Sequence, residues 1–313
     1  MWPRLSPIST LTLALLCACS TSDTPAMDAG PSGSEVYGSF NITLVPPFEE
    51  TMSPATTSVL GKVNDGPAPI AEAWKLEREA EGCRLYTPRI LFCDPPCGSA
   101  GVCVRDDECA PHPQSTEVGT VTLKGVGATP IAMDVIAGNY QPKAGTSLPY
   151  PPCREGESVM LEAAGGTHPA FQISARCIAP LEFSGSVPYR RGEPLRLKWN
   201  AAGSGSDSTI TVKVDLSHHG GSKGKIECEV ADDGAHDIPA ALADALVELG
   251  VAGFPTVALT RSSTAAGSGA ASGVALTIAA SQERPIEIPG LTSCSEDTDC
   301  ASGQTCQTDR SCK

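Results

Sequence analysis

Ser222 lies in Gly220-Gly221-Ser222-Lys223-Gly224, a segment that satisfies G-x-S-x-G and stands beside His218 and His219. A serine activated by a neighbouring histidine base performs acyl transfer, and this motif serves that chemistry where a strand turns sharply into a helix. Here the flanking residues read as two strands, one ending at Leu216 and the next starting at Ile226. The glycine-rich segment is therefore expected to be a hairpin loop. Ser222-Lys223-Gly224-Lys225 also fits S-x-x-K, but no helical pattern follows and no Lys-Thr-Gly companion occurs.

Two acidic groups could offer oxygen ligands to calcium: Asp232, Asp233 and Asp237 with His236 between them, and Glu296, Asp297 and Asp299 near the C-terminus. Neither has EF-hand spacing, and acidic residues in turns commonly cap helices or face water. His168, within Gly165-Gly166-Thr167-His168-Pro169, reads as a loop histidine. No catalytic constellation, metal site or cofactor is expected from these residues.

The cysteines carry a stronger constraint. Of fourteen, Cys17 and Cys19 lie at the end of an apolar N-terminal run. The other twelve form three groups: Cys83, Cys93, Cys97, Cys103 and Cys109; Cys153, Cys177 and Cys228; and Cys294, Cys300, Cys306 and Cys312. An even number in an exported chain implies a disulfide framework. Groups of five and three are both odd, so if the last group pairs within itself, at least one bridge must join the first two. Cys83 to Cys228 with Cys153 to Cys177 is the preferred assignment. Cys97, Cys103 and Cys109 repeat the spacing of Cys300, Cys306 and Cys312, with a turn glycine and acidic residues in each. Segments this small bury too little apolar surface to fold unaided, so their bridges substitute for a core. Zinc is the competing chemistry, but the five-residue spacing of the repeat lacks the close pairs typical of structural zinc sites and an exported chain meets an oxidising compartment.

Cys19 has a different role. Arg4 precedes an uncharged run from Ile8 to Ala18, too short to span a bilayer and suited to a signal peptide. Leu16-Cys17-Ala18-Cys19 resembles the bacterial lipobox, with an apolar residue and two small ones before the lipidated cysteine. In the frame of Cys17, Leu16 would occupy the cleavage position that needs a small side chain. Lipidation at Cys19 is therefore expected, and by resemblance to enterobacterial sorting Ser20 directs the protein to the outer membrane. From Ser20 to Glu35 the small, polar and turn-forming residues read as a flexible tether of roughly 20 to 25 Å reach.

These sites need a scaffold. The chain has 36 acidic and 22 basic side chains, and the leader removes only Arg4, so the mature protein is one unit more negative than the net −14 of the whole. That charge disfavours nucleic acid and anionic lipid head groups as partners. Phe40, Ile42 and Leu44 share one face of a strand. Further strands are expected at Val118 to Val126, Ile131 to Ile136, Ser158 to Ala163, Ile173 to Cys177, Leu195 to Trp199, Ile210 to Leu216, Ile226 to Val230, Val257 to Thr260 and Val274 to Ala279. Gly, Pro, Ser and Asn separate most of them. Ala71 to Ala80 has helical spacing at Ala73, Leu76 and Ala80, with Gly82 as a stop. Pro239 to Leu249 is the stronger helix, with Leu242, Ala245, Leu246 and Leu249 on one stripe, Asp237 as its cap and Gly250 closing it.

The expected fold is mainly β, an antiparallel β-sandwich with one or two short helices and two small disulfide-rich segments. Its parts are a signal peptide (1–18), a lipidated tether (19–35), N-terminal strands and a short helix (36–82), a cysteine-rich segment (83–113), the sandwich (114–290) and a cysteine-rich tail (291–313).

SCSEDTDCASGQTCQTDRSCK at the C-terminus resembles the short tails of C…DxDC…GxxC type on myxobacterial-type surface lipoproteins. FCDPPCGSAGVC, VGTVTLKG, ARCIAPLEF and DDGAHDIPAAL together resemble one uncharacterised cysteine-rich family of that kind. The resemblance covers nearly all of the mature chain and implies surface localisation and architecture without a reaction.

The function expected from the sequence is that of a membrane-tethered exported lipoprotein. It would act as a non-enzymatic binding or assembly module at the cell envelope and recognise a polysaccharide or a protein. The alternative is a secreted hydrolase built on the His218, His219 and Ser222 loop. Convergent exposed aromatics among Trp74, Tyr140, Tyr150 and Tyr189 would favour a glycan, and a large apolar patch a protein partner.

Overall fold

Alternating polarity becomes strand throughout the computed structural model, which describes residues 35–47, 52–203, 206–219 and 221–313. The signal peptide, Cys19 and the tether up to residue 34 lie outside the described residues. The strands in chain order are β1 (Tyr37–Val45), β2 (Thr56–Asn64), β3 (Trp74–Ala80), β4 (Cys83–Pro88), β5 (Gly101–Arg105), β6 (Glu108–Pro111), β7 (Val121–Lys124), β8 (Ile131–Ile136) and β9 (Asn139–Pro142). They continue as β10 (Ser158–Ala163), β11 (Phe171–Arg176), β12 (Val187–Pro188), β13 (Leu195–Lys198), β14 (Thr209–Asp215), β15 (Lys225–Ala231), β16 (Ala235–Ile238), β17 (Thr256–Ala266) and β18 (Gly273–Glu287). The α-helix among the described residues is α1 (Ala240–Leu249).

The protein is mainly β. Fourteen strands form one mixed sheet in the order β11-β10-β7-β8-β9-β2-β1-β18-β17-β14-β15-β4-β3, with β12 attached to β18. Most neighbours are antiparallel, whereas β1 and β12 run parallel to β18. A sheet this wide must curl. It does so by bringing its β11 edge back onto β17 and β18, which encloses Phe40, Ile42, Val63, Leu123, Leu161, Ile173, Leu276 and Ile278. The β13-β16 pair and α1 cover the other half, where Leu195, Leu197, Ile238, Leu242 and Leu246 join the same core. The strands of 36–82 and those of 114–290 thus share one sheet.

The sequence between Ala71 and Ala80 forms β3, not the expected helix. Glu81 and Gly82 take positive φ values of 51° and 78°, and Ala80 pairs with Cys83 across them. Two such residues make the primed turn that joins antiparallel strands, so Gly82 closes a hairpin instead of stopping a helix. A bulge between Leu76 and Arg78 breaks the two-residue period that would have marked the strand. α1 begins where expected, but Asp237 does not cap it. Pro239 holds the N-cap position, and Asp237 sits in β16 with its carboxylate 3.8 Å from Arg196. Gly250 closes the helix at φ 118°, its N–H donating to the Val247 carbonyl.

Among the described residues, one ion pair lies wholly inside. Arg261 on β17 is 0% exposed and its guanidinium donates through Nε to Asp232 Oδ2 at 2.6 Å and through Nη2 to Asp232 Oδ1 at 2.9 Å. Its remaining donors reach the carbonyls of Ala179, Pro180 and Asn200. Asp232 also accepts from Trp199 Nε1 at 2.9 Å and Ser208 Oγ at 2.6 Å. Burial pushes the Asp232 carboxyl upward, but the hydrogen bonds from Arg261, Ser208 and Trp199 and the guanidinium charge outweigh it and hold the pKa below the ordinary carboxylate value.

Asp232→Ala strands a buried guanidinium and is expected to cost about 3–5 kcal/mol in denaturant unfolding. The double substitution Asp232→Leu with Arg261→Met should recover much of that loss, and a double variant as unstable as the single one would contradict the account. Because the folded pKa is depressed, the contribution of Asp232 is complete above the unfolded value of about 3.9 and is lost as pH falls through the lower folded value. An acid titration of stability should show a smaller slope in that window for the double variant than for the wild type.

Candidate functional site

All twelve cysteines expected to pair do so. Cys83 bonds Cys228 and Cys153 bonds Cys177, which is the preferred assignment and supplies the cross-group bridge that parity required. In the first small segment Cys93 bonds Cys103 and Cys97 bonds Cys109; in the tail Cys294 bonds Cys306 and Cys300 bonds Cys312. Both segments therefore link first cysteine to third and second to fourth. The shared spacing in the sequence reflects one crossed arrangement used twice.

Each segment is held to the sheet by polar contacts. Strand β3 is an outer edge, and its backbone would be open to a foreign strand. The first segment meets it just before β3, where the Glu72 N–H donates to the Val104 carbonyl at 2.9 Å and Arg105 pairs with Glu72. Arg89 and the Phe92 N–H both donate to Asp106. At the other end, the Gly253 N–H donates to the Asp309 carbonyl and Ser293 Oγ donates to the Gly253 carbonyl. Asp309 itself is held at about 2 by hydrogen bonds from Lys313 and Ser311.

The residues considered for catalysis are not brought together. His218 and His219 sit in the turn after β14, their rings 3.9 Å apart, and the segment leads into β15 as a strand-to-strand connection. Ser222 is exposed, and among the described residues no hydrogen bond joins it to either histidine. It is Ser217, not Ser222, that braces this loop, accepting from the Lys223 N–H at 2.9 Å and donating to Asp215. His168 is bonded to Thr116, its Nε2 3.1 Å from the hydroxyl.

Nor do the acidic groups form a cage. Asp232 is committed to Arg261, Asp233 accepts from the Ala235 N–H, Asp237 pairs with Arg196, and His236 Nε2 lies 3.2 Å from Cys83 Sγ. In the tail, Asp299 accepts from the Ser295 and Glu296 N–H groups and Asp297 from the Cys306 N–H. The acceptor bonds from the backbone hold the Asp299 pKa low. Three cysteine-containing clusters have metal-ligand proximity among the described residues, Cys83 and Cys228 with His236 being one, but every sulfur in them is bonded in a disulfide.

The aromatics do not converge on one face. Tyr140 and Tyr189 are buried, Tyr150 packs partly against the core, and Trp74 alone of the four is exposed. Tyr189 donates to Asp244 Oδ1 at 2.8 Å, and burial together with that bond raises its pKa to about 12. Tyr86, which was not singled out, flanks Trp74 through Lys225, whose ammonium stands 4.2 Å from the Trp74 ring and 5.5 Å from that of Tyr86.

What the surface offers instead is a set of shallow depressions. One, of about 650 Å³, runs across β7, β10 and β11 to the turn between β17 and β18, with Thr120, Thr122, Glu162, Gln172 and Ser268 among its walls. Thr122, Glu162 and Gln172 are in register on three adjacent strands. Glu162 accepts from Lys124 Nζ at 2.6 Å and from Gln172 Nε2 at 3.3 Å. A second trough of about 500 Å³ is walled by prolines, among them Pro149, Pro151, Pro152 and Pro180. Single-sequence reasoning missed the first trough because its polar residues belong to the outward half of ordinary strand alternation.

No family model, curated protein or solved structure matches this chain.

The bridges differ in the loops they close. Cys83–Cys228 spans 145 residues and Cys300–Cys312 spans 12. Chain entropy assigns them about 5 and about 3 kcal/mol respectively. Replacing Cys83 and Cys228 together by alanine should lower the melting temperature more than replacing Cys300 and Cys312 together. Equal shifts in calorimetry would refute that ordering.

Proposed function

We propose that this protein is an exported lipoprotein, anchored to the outer membrane through Cys19, which binds an envelope polysaccharide or protein without transforming it. The observation that carries this reading is the complete pairing of twelve cysteines, which needs an oxidising compartment, on a mainly β scaffold. Six bridges and a curled sheet stiffen a surface before any ligand arrives, and a surface ordered in advance loses less entropy on binding.

Several further features fit. A lipid on Cys19 would supply the attachment, and among the described residues no helix is long and apolar enough to cross a membrane. The acidic surface repels anionic head groups and nucleic acid, which leaves the lipid as the main membrane contact. Between the two ligand classes, the polar trough across β7, β10 and β11 favours a polysaccharide. The exposed apolar residues on and beside the β3–β4 hairpin, Ile70, Trp74, Leu76, Ile90 and Phe92, are what a protein partner would use.

Cys19→Ala should move the protein from the membrane fraction to the soluble fraction of cells, and mass spectrometry of the wild-type N-terminal peptide should find a diacylglyceryl group on Cys19. An unmodified Cys19, or a variant still in the membrane fraction, would refute anchoring. Cross-linking in intact cells would separate the ligand classes, since one recurrent protein partner would displace the polysaccharide reading.

A further inference from the structure

We infer that the trough across β7, β10 and β11 is a binding site for an uncharged glycan, an inference that rests on the polysaccharide reading above and gives it a place and a ligand class. Its volume of about 650 Å³ lies within the range of small-molecule sites and suits a short run of sugar rings better than a single one. Its position is set by the fold. The turn bearing Ser268 forms one wall where the curled β11 edge meets β17 and β18, so the trough exists only because the sheet closes on itself.

The chemistry of the walls selects the ligand. Thr122, Glu162 and Gln172 form a straight row on neighbouring strands, about 4.7–4.9 Å apart by the spacing of a sheet. Sugar hydroxyls both donate and accept. The row answers with a hydroxyl that does both, a carboxylate that accepts and an amide that does one at each end. Glu162 is already oriented by Lys124 and Gln172, so its oxygens are held in place before a ligand arrives. Thr120 and Ser268 add hydroxyls along the rim. The exposed Ala164 and Ala170 give the trough an apolar surface for the C–H face of a sugar ring.

Charge excludes the other polar ligands. No lysine or arginine lines the trough, the nearby Lys124 ammonium is committed to Glu162, and the chain as a whole is acidic. A phosphate, sulfate or uronate would enter without a partner and against the field. A cation would have to displace Lys124 from a 2.6 Å ion pair to use the one carboxylate there.

Full-length protein in detergent would be titrated by calorimetry with maltohexaose, cellohexaose and chitohexaose as uncharged probes and with hexagalacturonate as the anionic one. At least one uncharged hexasaccharide should bind and hexagalacturonate should not. Gln172→Ala, at an exposed position, should weaken binding about tenfold, and adding Thr122→Val should abolish it. If uncharged glycan binds and both variants bind as wild type does, the trough is overturned while the polysaccharide reading survives. If no uncharged hexasaccharide binds, both fall, and tight binding of hexagalacturonate overturns the ligand class.

Discussion

The burial of Arg261 constrains more of this structure than any apolar contact. A guanidinium removed from water must have its five donors answered, and here the answers come from three separate stretches of chain: Ala179 and Pro180, Asn200, and Asp232. None of these is regular strand in the main sheet except Arg261 itself. The pair therefore ties the irregular cover to the sheet, and the cover brings with it Trp199, Ser208 and the β13-β16 pair. Hydrophobic burial would tolerate a small sliding of that cover. A bidentate ion pair with three carbonyl contacts tolerates much less, because any shift leaves a charged donor unsatisfied at low dielectric.

The disulfides act on a different scale. Cys83–Cys228 joins directly opposed residues of β4 and β15 and locks the register of the β3-β4 hairpin against the body of the sheet. The small crossed pairs in the first segment stiffen a strand that lies against the open edge beside β3. Through the Glu72 N–H to Val104 carbonyl bond, that segment is fastened to the chain just ahead of the β3 edge. The tail repeats the same device, and its acidic residues are spent on its own backbone N–H groups.

Much of this was legible in the sequence, and the failures are informative. Apolar alternation located most of the sheet, and parity required a bridge between the first two cysteine groups without choosing its residues. It did not reveal that β17 continues past Thr260 to Ala266, because the next inward residues are Arg261 and Ser263. A buried charge looks like the end of a strand unless its partner is known, and Asp232 is 29 residues away. The helix expected at Ala71 to Ala80 failed for the opposite reason. Its apolar spacing had no core to face, since every residue of β3 except Ala80 is exposed, and the bulge disguised the strand period. Hairpin chemistry at Glu81-Gly82 overrode local propensity.

The trough was not legible at all, and the reason bears on how such proteins carry function. Thr122, Glu162 and Gln172 are ordinary outward residues of three strands, far apart in sequence and unremarkable in each. Only the pairing of β7 with β10 and of β10 with β11 makes them a row, and only the return of β11 to β17 supplies the facing wall. Motifs such as the Gly220 to Gly224 segment are local and can occur without the geometry that gives them meaning. A binding face assembled from strand register has the reverse property: no local signature, but a geometry that cannot be altered without altering the sheet. The register of β7, β10 and β11 and the return of β11 to β17 and β18 are thus the determinants of the face.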